Sequence, residues 1–126
     1  MKHSFRAVVD QNKMDYFFKI SGDNNPLHTN RDYAQNNGFP SEVAYGMLTA
    51  SFYSTLVGVY LPGKYCILHG MDIQFSKPVF VSDELLISGV VSSINQTFQQ
   101  LEIKASIYNQ DNIKVSRAKI KVGVMS

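Results

Sequence analysis

The amino-acid sequence predicts an α+β fold in which a curved antiparallel β-sheet wraps around one central, mostly apolar helix. The helix is predicted for residues 46–60, where apolar side chains occupy most of the helical circumference and leave no clean polar stripe. Beyond residue 63, apolar and polar residues alternate in several strand-length segments. The strands that follow such a helix can bury it only if their sheet curls around it.

Length and composition predict a single domain over residues 1–126. The chain has 126 residues, of which 44% are hydrophobic, and this fits one compact core. The formal net charge is +2, and the 12 Lys and Arg residues are scattered along the sequence rather than gathered in a stripe. This distribution argues against nucleic acid or a membrane surface as a partner.

The cysteine and histidine content predicts neither a disulfide nor a metal site. Cys66 is the single cysteine, which favours a reduced thiol and a cytoplasmic protein. The three histidines are dispersed, so the ligand spacing of a zinc site is missing. We expect no export signal in residues 1–9, because His3 and Arg6 interrupt their short apolar stretch.

Short-range signals place the first elements. Alternation predicts a strand over residues 5–9, and Asp10 or Asn12 can cap the helix that follows. Gly22 ends this helix, whose apolar face is predicted to carry Met14, Phe17 and Phe18. A polar, ordered loop is predicted for residues 23–27.

Four strands are predicted after the apolar helix, over residues 67–75, 85–91, 101–107 and 113–124. His69 shares the apolar parity of its strand and is interpreted as a half-buried structural residue. In the last strand the inward parity switches from odd to even near Ser116 and Arg117. This switch predicts a β-bulge there.

The densest polar cluster outside the turns lies between two helices, in the segment Ser21-Gly22-Asp23-Asn24-Asn25-Pro26-Leu27-His28. Because Pro26 interrupts the helical path, Asp23 and His28 can turn toward one point and share a water whose proton they remove. A structural interpretation also fits, in which Asp23 caps the turn and His28 is an ordinary surface histidine. The residue pattern leaves both interpretations open.

A second candidate is Gly46, at the start of the apolar helix. Unpaired N–H groups and the positive end of the helix dipole point outward there, so Gly46 is either an oxyanion hole or simply a helix cap. Ser54 follows about two turns later and either faces the same cavity or bonds back to the preceding turn. The chain has no G-x-S-x-G motif, which argues against a serine nucleophile.

Three stretches resemble the MaoC-like (R)-specific enoyl-CoA hydratases, a family with the hot-dog fold. The segment from Asp23 to His28 is similar to the hydratase motif of Asp, any residue, Asn, Pro, Leu or Ile, and His. Residues 45–63 resemble the central helix of the family and its exit, and residues 75–83 resemble its strand-Pro-Val-Asp corner. Together they cover about residues 17–85.

The resemblance implies roles for individual residues. It implies that Asp23 and His28 hold and activate the water, while Asn25 braces the loop. The Gly46 amide would bind the thioester oxygen, and Ser54 would line the pocket.

Two positions depart from the family pattern. Tyr45 stands where the family usually has His, and Asn30 stands where it usually has Asp. Tyr45 is expected where the thioester enters and is therefore assigned to substrate binding. Asn30 can cap a helix as Asp would, without the favourable charge.

The implied activity is reversible hydration of a trans-2-enoyl-CoA to the (3R)-hydroxyacyl-CoA. The resemblance also implies a homodimer with acyl tunnels near its interface, and neither a metal nor a redox cofactor. One alternative is a dehydratase acting on carrier-protein-bound 3-hydroxyacyl groups; a thioesterase fits less well, because the motif belongs to the hydratase branch. A further alternative is a non-catalytic module that binds acyl thioesters or serves as a subunit of a larger assembly.

Overall fold

The computed structural model describes residues 1–125, which contain five strands, four α-helices and one π-helical turn. In chain order these are β1 (Lys2–Val8), α1 (Gln11–Ser21), α2 (Pro26–Thr29), α3 (Arg31–Asn36), α4 (Gly46–Thr55), the π-helical turn (Leu56–Tyr60), β2 (Cys66–Phe75), β3 (Glu84–Asn95), β4 (Gln100–Tyr108) and β5 (Lys114–Val124). None of the helices in these 125 residues is long and apolar enough to cross a membrane.

The strands form one antiparallel sheet in the order β1-β3-β4-β5-β2. Strands β3, β4 and β5 follow one another as neighbours, whereas β2 pairs with the far side of β5. Within residues 1–125, β1 and β2 are therefore the edges of the sheet. The predicted fold class is confirmed, since α4 packs against one face of this sheet.

The core lies between α4 and the inward side chains of β3, β4 and β5. Alternate residues of the three strands are buried, as their periodicity predicts: Leu85, Ile87, Leu101, Ile103, Ile107, Ile120 and Val122. The helix and the turn after it contribute Leu48, Phe52, Tyr53, Leu56 and Val57. A buried hydrogen bond of 2.7 Å between the Tyr53 and Ser116 hydroxyls ties α4 to β5.

The predicted bulge in β5 is confirmed, one residue earlier than expected. Ile107 of β4 pairs with Ser116 and Tyr108 pairs with Lys114, so Val115 is the extra residue. Val115 and Ser116 are both buried, which is why the inward parity switches at this point.

A second irregularity, in β2 between Leu68 and Gly70, was not predicted. It places His69 over the opposite strand, where a Cβ on Gly123 would lie 2.6 Å from the imidazole ring. The missing side chain of Gly123 makes room for this ring on the outer face. The interpretation of His69 as half-buried was therefore wrong, because its side chain is exposed.

The apolar helix differs from its prediction in its last turn. Its α-helical part ends at Thr55, and the π-helical turn Leu56–Tyr60 completes the segment. Within this single chain the sheet reaches only one side of the helix and leaves the other side uncovered. The exposed residues on the uncovered side are Met47, Ser51, Ser54, Gly58 and Val59.

Helix α1 begins and ends where the sequence predicts. Asp10 is its N-cap and accepts the Lys13 N–H at 2.9 Å. Of the predicted apolar face, Met14 is buried and Phe17 is half-buried, but Phe18 is exposed. The helix lies at the margin of the core and therefore buries a narrower face than its sequence offers.

Candidate active site

Local hydrogen bonds shape the segment between α1 and α2. Gly22 has a left-handed conformation (φ 71°), and its N–H donates to the Phe18 carbonyl, which turns the chain out of α1. The Asp23 N–H donates to the Ser21 hydroxyl at 3.1 Å, and the Asn25 N–H donates to Asp23 Oδ1 at 3.1 Å. Asp23 thus makes the turn that the structural interpretation predicts, while its side chain stays exposed.

Asn25 begins the next helix and fixes its direction. Its side-chain Oδ1 accepts the Leu27 N–H at 3.0 Å, and its carbonyl accepts the His28 N–H at 3.0 Å. Pro26 occupies the first helical position, where the absence of an N–H costs nothing. The polar loop is therefore shorter than the predicted 23–27, because α2 already begins at Pro26.

The His28 ring is half-buried and held on two sides. Its Nδ1 lies 2.6 Å from the Val43 carbonyl oxygen, and since that oxygen can only accept, Nδ1 carries the proton. The ring also packs on Tyr45, with centroids 4.3 Å apart and planes tilted by 31°. In the neutral imidazole Nε2 is then an acceptor, to which a water can donate a hydrogen bond.

A cleft of about 330 Å³ lies beside His28. It is bounded by the first turn of α4, the end of β2 and the start of β5, and its lining includes Gly46, Thr49, Phe75 and Ser116. The cleft therefore brings an imidazole and a helix N-terminus to one space.

Gly46 is the first residue of α4, and no side chain caps this end of the helix. Its N–H finds no acceptor among residues 1–125, so it is available to a ligand oxygen. A Cβ at this position would lie 3.4 Å from the Phe75 ring. The glycine thus keeps open the space between the amide and that ring, at the positive end of the helix dipole.

Tyr45 is buried behind His28, with 2% of its surface exposed. Its hydroxyl donates to the Asp23 carbonyl at 2.8 Å, and its ring also packs on Phe17 at a centroid distance of 4.9 Å. Burial raises the pKa of Tyr45, and the Asp23 and Asp15 carboxylates raise it further, so the hydroxyl stays neutral. Tyr45 does not line the cleft of His28 and Gly46, although the resemblance places it where a thioester enters.

The structure brings some of the predicted site residues together and leaves others apart. His28 and Gly46 line one cleft. Asp23 is exposed and does not line this cleft, and its main-chain carbonyl accepts the hydrogen bond from Tyr45. Ser54 lies on the uncovered side of α4 and does not line this cleft. Asn25 contributes through the hydrogen bonds that shape the loop.

Val43 and Phe75 are among the residues of this site that sequence reasoning missed. Val43 acts through its backbone carbonyl, which no side-chain pattern reveals. Phe75 lines the cleft and touches the space at Gly46. The sequence did offer a signal for Phe75, because it shares the apolar parity of its strand. In the part of the chain that the structure describes, no three His, Cys, Asp or Glu residues lie close enough to hold a metal ion.

The fold and this cleft agree with a known protein family. The family model described as the MaoC like domain matches residues 1–113. The chain therefore belongs to the MaoC-like domain family, as its motifs predicted.

Individual relatives are found among enoyl-thioester enzymes. The (R)-specific enoyl-CoA hydratase of Rhodospirillum rubrum is 33% identical over 91 residues, which are 72% of this chain and 63% of the relative. That of Aeromonas caviae is 35% identical over 94 residues, which are 75% of this chain and 70% of the relative. The chain thus matches slightly less than two thirds of the length of the Rhodospirillum rubrum protein.

A solved structure extends the similarity to the whole fold. The (R)-hydratase from A. caviae involved in PHA biosynthesis superimposes with a TM-score of 0.94 and 28% sequence identity. The superposition covers 99% of this chain and 95% of that one. The hot-dog fold implied by the resemblance is confirmed.

Proposed function

We propose that this protein catalyses the reversible hydration of a trans-2-enoyl-CoA to the (3R)-hydroxyacyl-CoA. The observation that carries the proposal is the cleft that His28 and Gly46 both line, with His28 Nε2 able to accept a hydrogen bond and the Gly46 N–H able to donate one. The similarity to two (R)-specific enoyl-CoA hydratases supports the same reaction.

The Gly46 end of the cleft binds the thioester carbonyl. When water adds to the third carbon, negative charge develops on that carbonyl oxygen, and the amide and helix dipole stabilise it. Loss of one such donor costs about 100-fold to 1,000-fold in rate in other enzymes. The missing Cβ at Gly46 lets the oxygen approach the amide.

Asp23 and His28 bind and activate the water. The lone pair on His28 Nε2 accepts a hydrogen bond from it, and the Asp23 carboxylate takes its proton. The hydroxide oxygen bonds to the third carbon as the carbon–carbon π bond breaks, and the protonated Asp23 then gives its proton to the second carbon. The net reaction adds one water molecule across the double bond. The same steps in reverse order dehydrate the 3-hydroxyacyl thioester.

The remaining site residues support this chemistry. Asn25 braces the loop through its bonds to Leu27 and His28. Ser54 would line an acyl pocket only in the homodimer proposed below, in which a second copy covers the exposed side of α4. The reaction requires neither a metal nor a redox cofactor, because the thioester itself activates the double bond. We place it in the cytoplasm, where a single unpaired thiol such as Cys66 stays reduced.

We further propose a homodimer. The β2 edge exposes apolar side chains, with Ile67 49% and Leu68 48% exposed, and α4 leaves Met47 and Val59 uncovered. An exposed apolar edge strand favours pairing with another chain, because its unpaired N–H and C=O groups and its apolar side chains then become covered. A second copy joined at β2 would remove this edge and cover the Ser54 side of α4.

The test is a hydration assay with crotonyl-CoA. The purified chain should remove the absorbance of the conjugated thioester and form the (3R) alcohol. Asp23→Asn and His28→Ala should each lower kcat by about 100-fold to 10,000-fold. Tm should change little in Asp23→Asn, whose side chain is exposed, whereas His28→Ala also loses the hydrogen bond to the Val43 carbonyl and should be less stable. A folded Asp23→Asn protein with full activity would refute this mechanism.

The same assay separates the alternatives. Release of free thiol would identify a thioesterase, and a strong preference for the carrier-bound acyl group would identify a carrier-protein dehydratase. A rise in Tm with crotonyl-CoA but no turnover would identify a binding module.

A further inference from the structure

We infer that Tyr45 is a positioning residue, which holds Asp23 through its hydroxyl and His28 through its ring and so fixes the two relative to each other. The inference rests on the proposed function and deepens it. The ring packs on the His28 imidazole, while the hydroxyl holds the main chain of Asp23. Within residues 1–125, no other side chain makes a hydrogen bond or ring contact with both Asp23 and His28.

The segment from Asp23 to His28, called the catalytic loop below, is anchored to the chain before α4 by three hydrogen bonds. Two hold the His28 end: the Val43 N–H donates to the Leu27 carbonyl at 3.0 Å, and His28 Nδ1 donates to the Val43 carbonyl. The third, from the Tyr45 hydroxyl, holds the Asp23 end. The other hydrogen bonds of Asp23 run to its neighbours Ser21 and Asn25 and stay within the loop, so they do not tie Asp23 to the chain before α4.

Direct contact of Tyr45 with substrate is disfavoured by the same geometry. The side chain is buried, and its hydroxyl proton is already donated to the Asp23 carbonyl. The hydroxyl could donate to a substrate oxygen only after that bond breaks. Tyr45 therefore acts on the reaction through Asp23 and His28.

The test separates the hydroxyl from the ring. Tyr45→Phe removes the tie to Asp23 and keeps the ring against His28, so kcat should fall by about 10-fold to 100-fold with KM nearly unchanged. In the Asp23→Asn background the same substitution should cost nothing further, because its effect passes through that carboxylate. Equal losses in both backgrounds would show general damage and overturn the inference.

A second readout does not depend on turnover. Tyr45→Phe should speed hydrogen exchange at the Asn25 and Leu27 amides, measured by NMR, because the loop loses its anchor at Asp23. Tyr53→Phe is the matched control for Tm, because it also removes the hydrogen bond of a buried tyrosine hydroxyl, in this case one within α4. It should leave the exchange of the Asn25 and Leu27 amides unchanged.

The two readouts distinguish the possible failures. If the native protein hydrates no enoyl thioester but the exchange changes as expected, the proposed function fails and the positioning role stands. Wild-type exchange in Tyr45→Phe, with the fold intact, overturns the positioning role whatever the activity.

Discussion

At the scale of single residues, the site depends on backbone groups as much as on side chains. The tautomer of His28 is set by the Val43 carbonyl, and the proposed oxyanion donor is the amide of Gly46. Side-chain substitutions cannot delete these groups. A side chain added at Gly46 would instead narrow the carbonyl-binding end of the cleft while the amide itself stays in place.

Gly46→Ala is expected to lower kcat/KM by about 10-fold with little change in Tm. The new methyl would meet the Phe75 ring at 3.4 Å, a contact that the fold can accept, but it narrows the approach to the amide. Steady-state kinetics and thermal unfolding check this. Gly58→Ala is the control, since a Cβ there meets nothing within 4 Å. Unchanged kcat/KM in Gly46→Ala would argue against carbonyl binding at this amide.

At the scale of elements, the bond between Tyr53 and Ser116 links α4 to the bulge of β5. Burial raises the pKa of Tyr53 to about 12, an effect that the hydrogen bond to Ser116 partly offsets. The usual value of 10.0 applies to the unfolded chain, so the unfolded state releases this proton first as pH rises. The stabilising contribution is therefore complete below about pH 10 and is lost between about pH 10 and 12.

Tyr53→Phe should remove this alkaline loss. At neutral pH the variant should be less stable by about 1–3 kcal/mol, because the Ser116 hydroxyl loses its buried partner. Between about pH 10 and 12 the difference from the native protein should shrink, since phenylalanine does not titrate. Urea unfolding across this range measures both effects. A constant difference at every pH would show that Tyr53 ionises equally in both states.

The bulges also belong to this scale, and they explain which strand predictions succeeded. In β5 the sequence itself shows the parity switch, because the apolar residues change from odd positions, such as Val115, to even positions, such as Ala118. In β2 the alternation from Ile67 to Phe75 reads as one continuous strand. The irregularity at His69 depends on Gly123, which lies in another strand, so local periodicity carries no signal for it.

At the scale of the whole molecule, the uncovered β2 edge bears on the oligomeric state. The proposed homodimer should have twice the chain mass of 14.2 kDa in light scattering. Ile67→Lys should shift it to the monomer, because a charge on the edge strand opposes pairing. Ile94→Lys makes the same change on β3, at an apolar residue that is 64% exposed, and should leave the dimer intact. A dimer that survives Ile67→Lys unchanged would place the contact elsewhere.

The distribution of charge is likewise a property of the whole molecule. The lysines and arginines are scattered in the sequence, but strand pairing sets Lys104 opposite Lys119 on the outer face of the sheet. Arg117 lies on the same face and donates to the Gln74 side chain. The sequence spacing does not reveal this grouping, because register decides which residues become neighbours.

The sequence by itself determined the curved sheet around an apolar helix, the caps Asp10 and Gly22, and the motif from Asp23 to His28. These features depend on local periodicity, on backbone preferences and on residues close together in the chain. Only the tertiary structure decided that Tyr45 lies behind His28, that Ser54 lies away from the cleft, and that His69 is exposed. Each of these depends on contacts between distant segments, whose geometry appears only when the chain is packed.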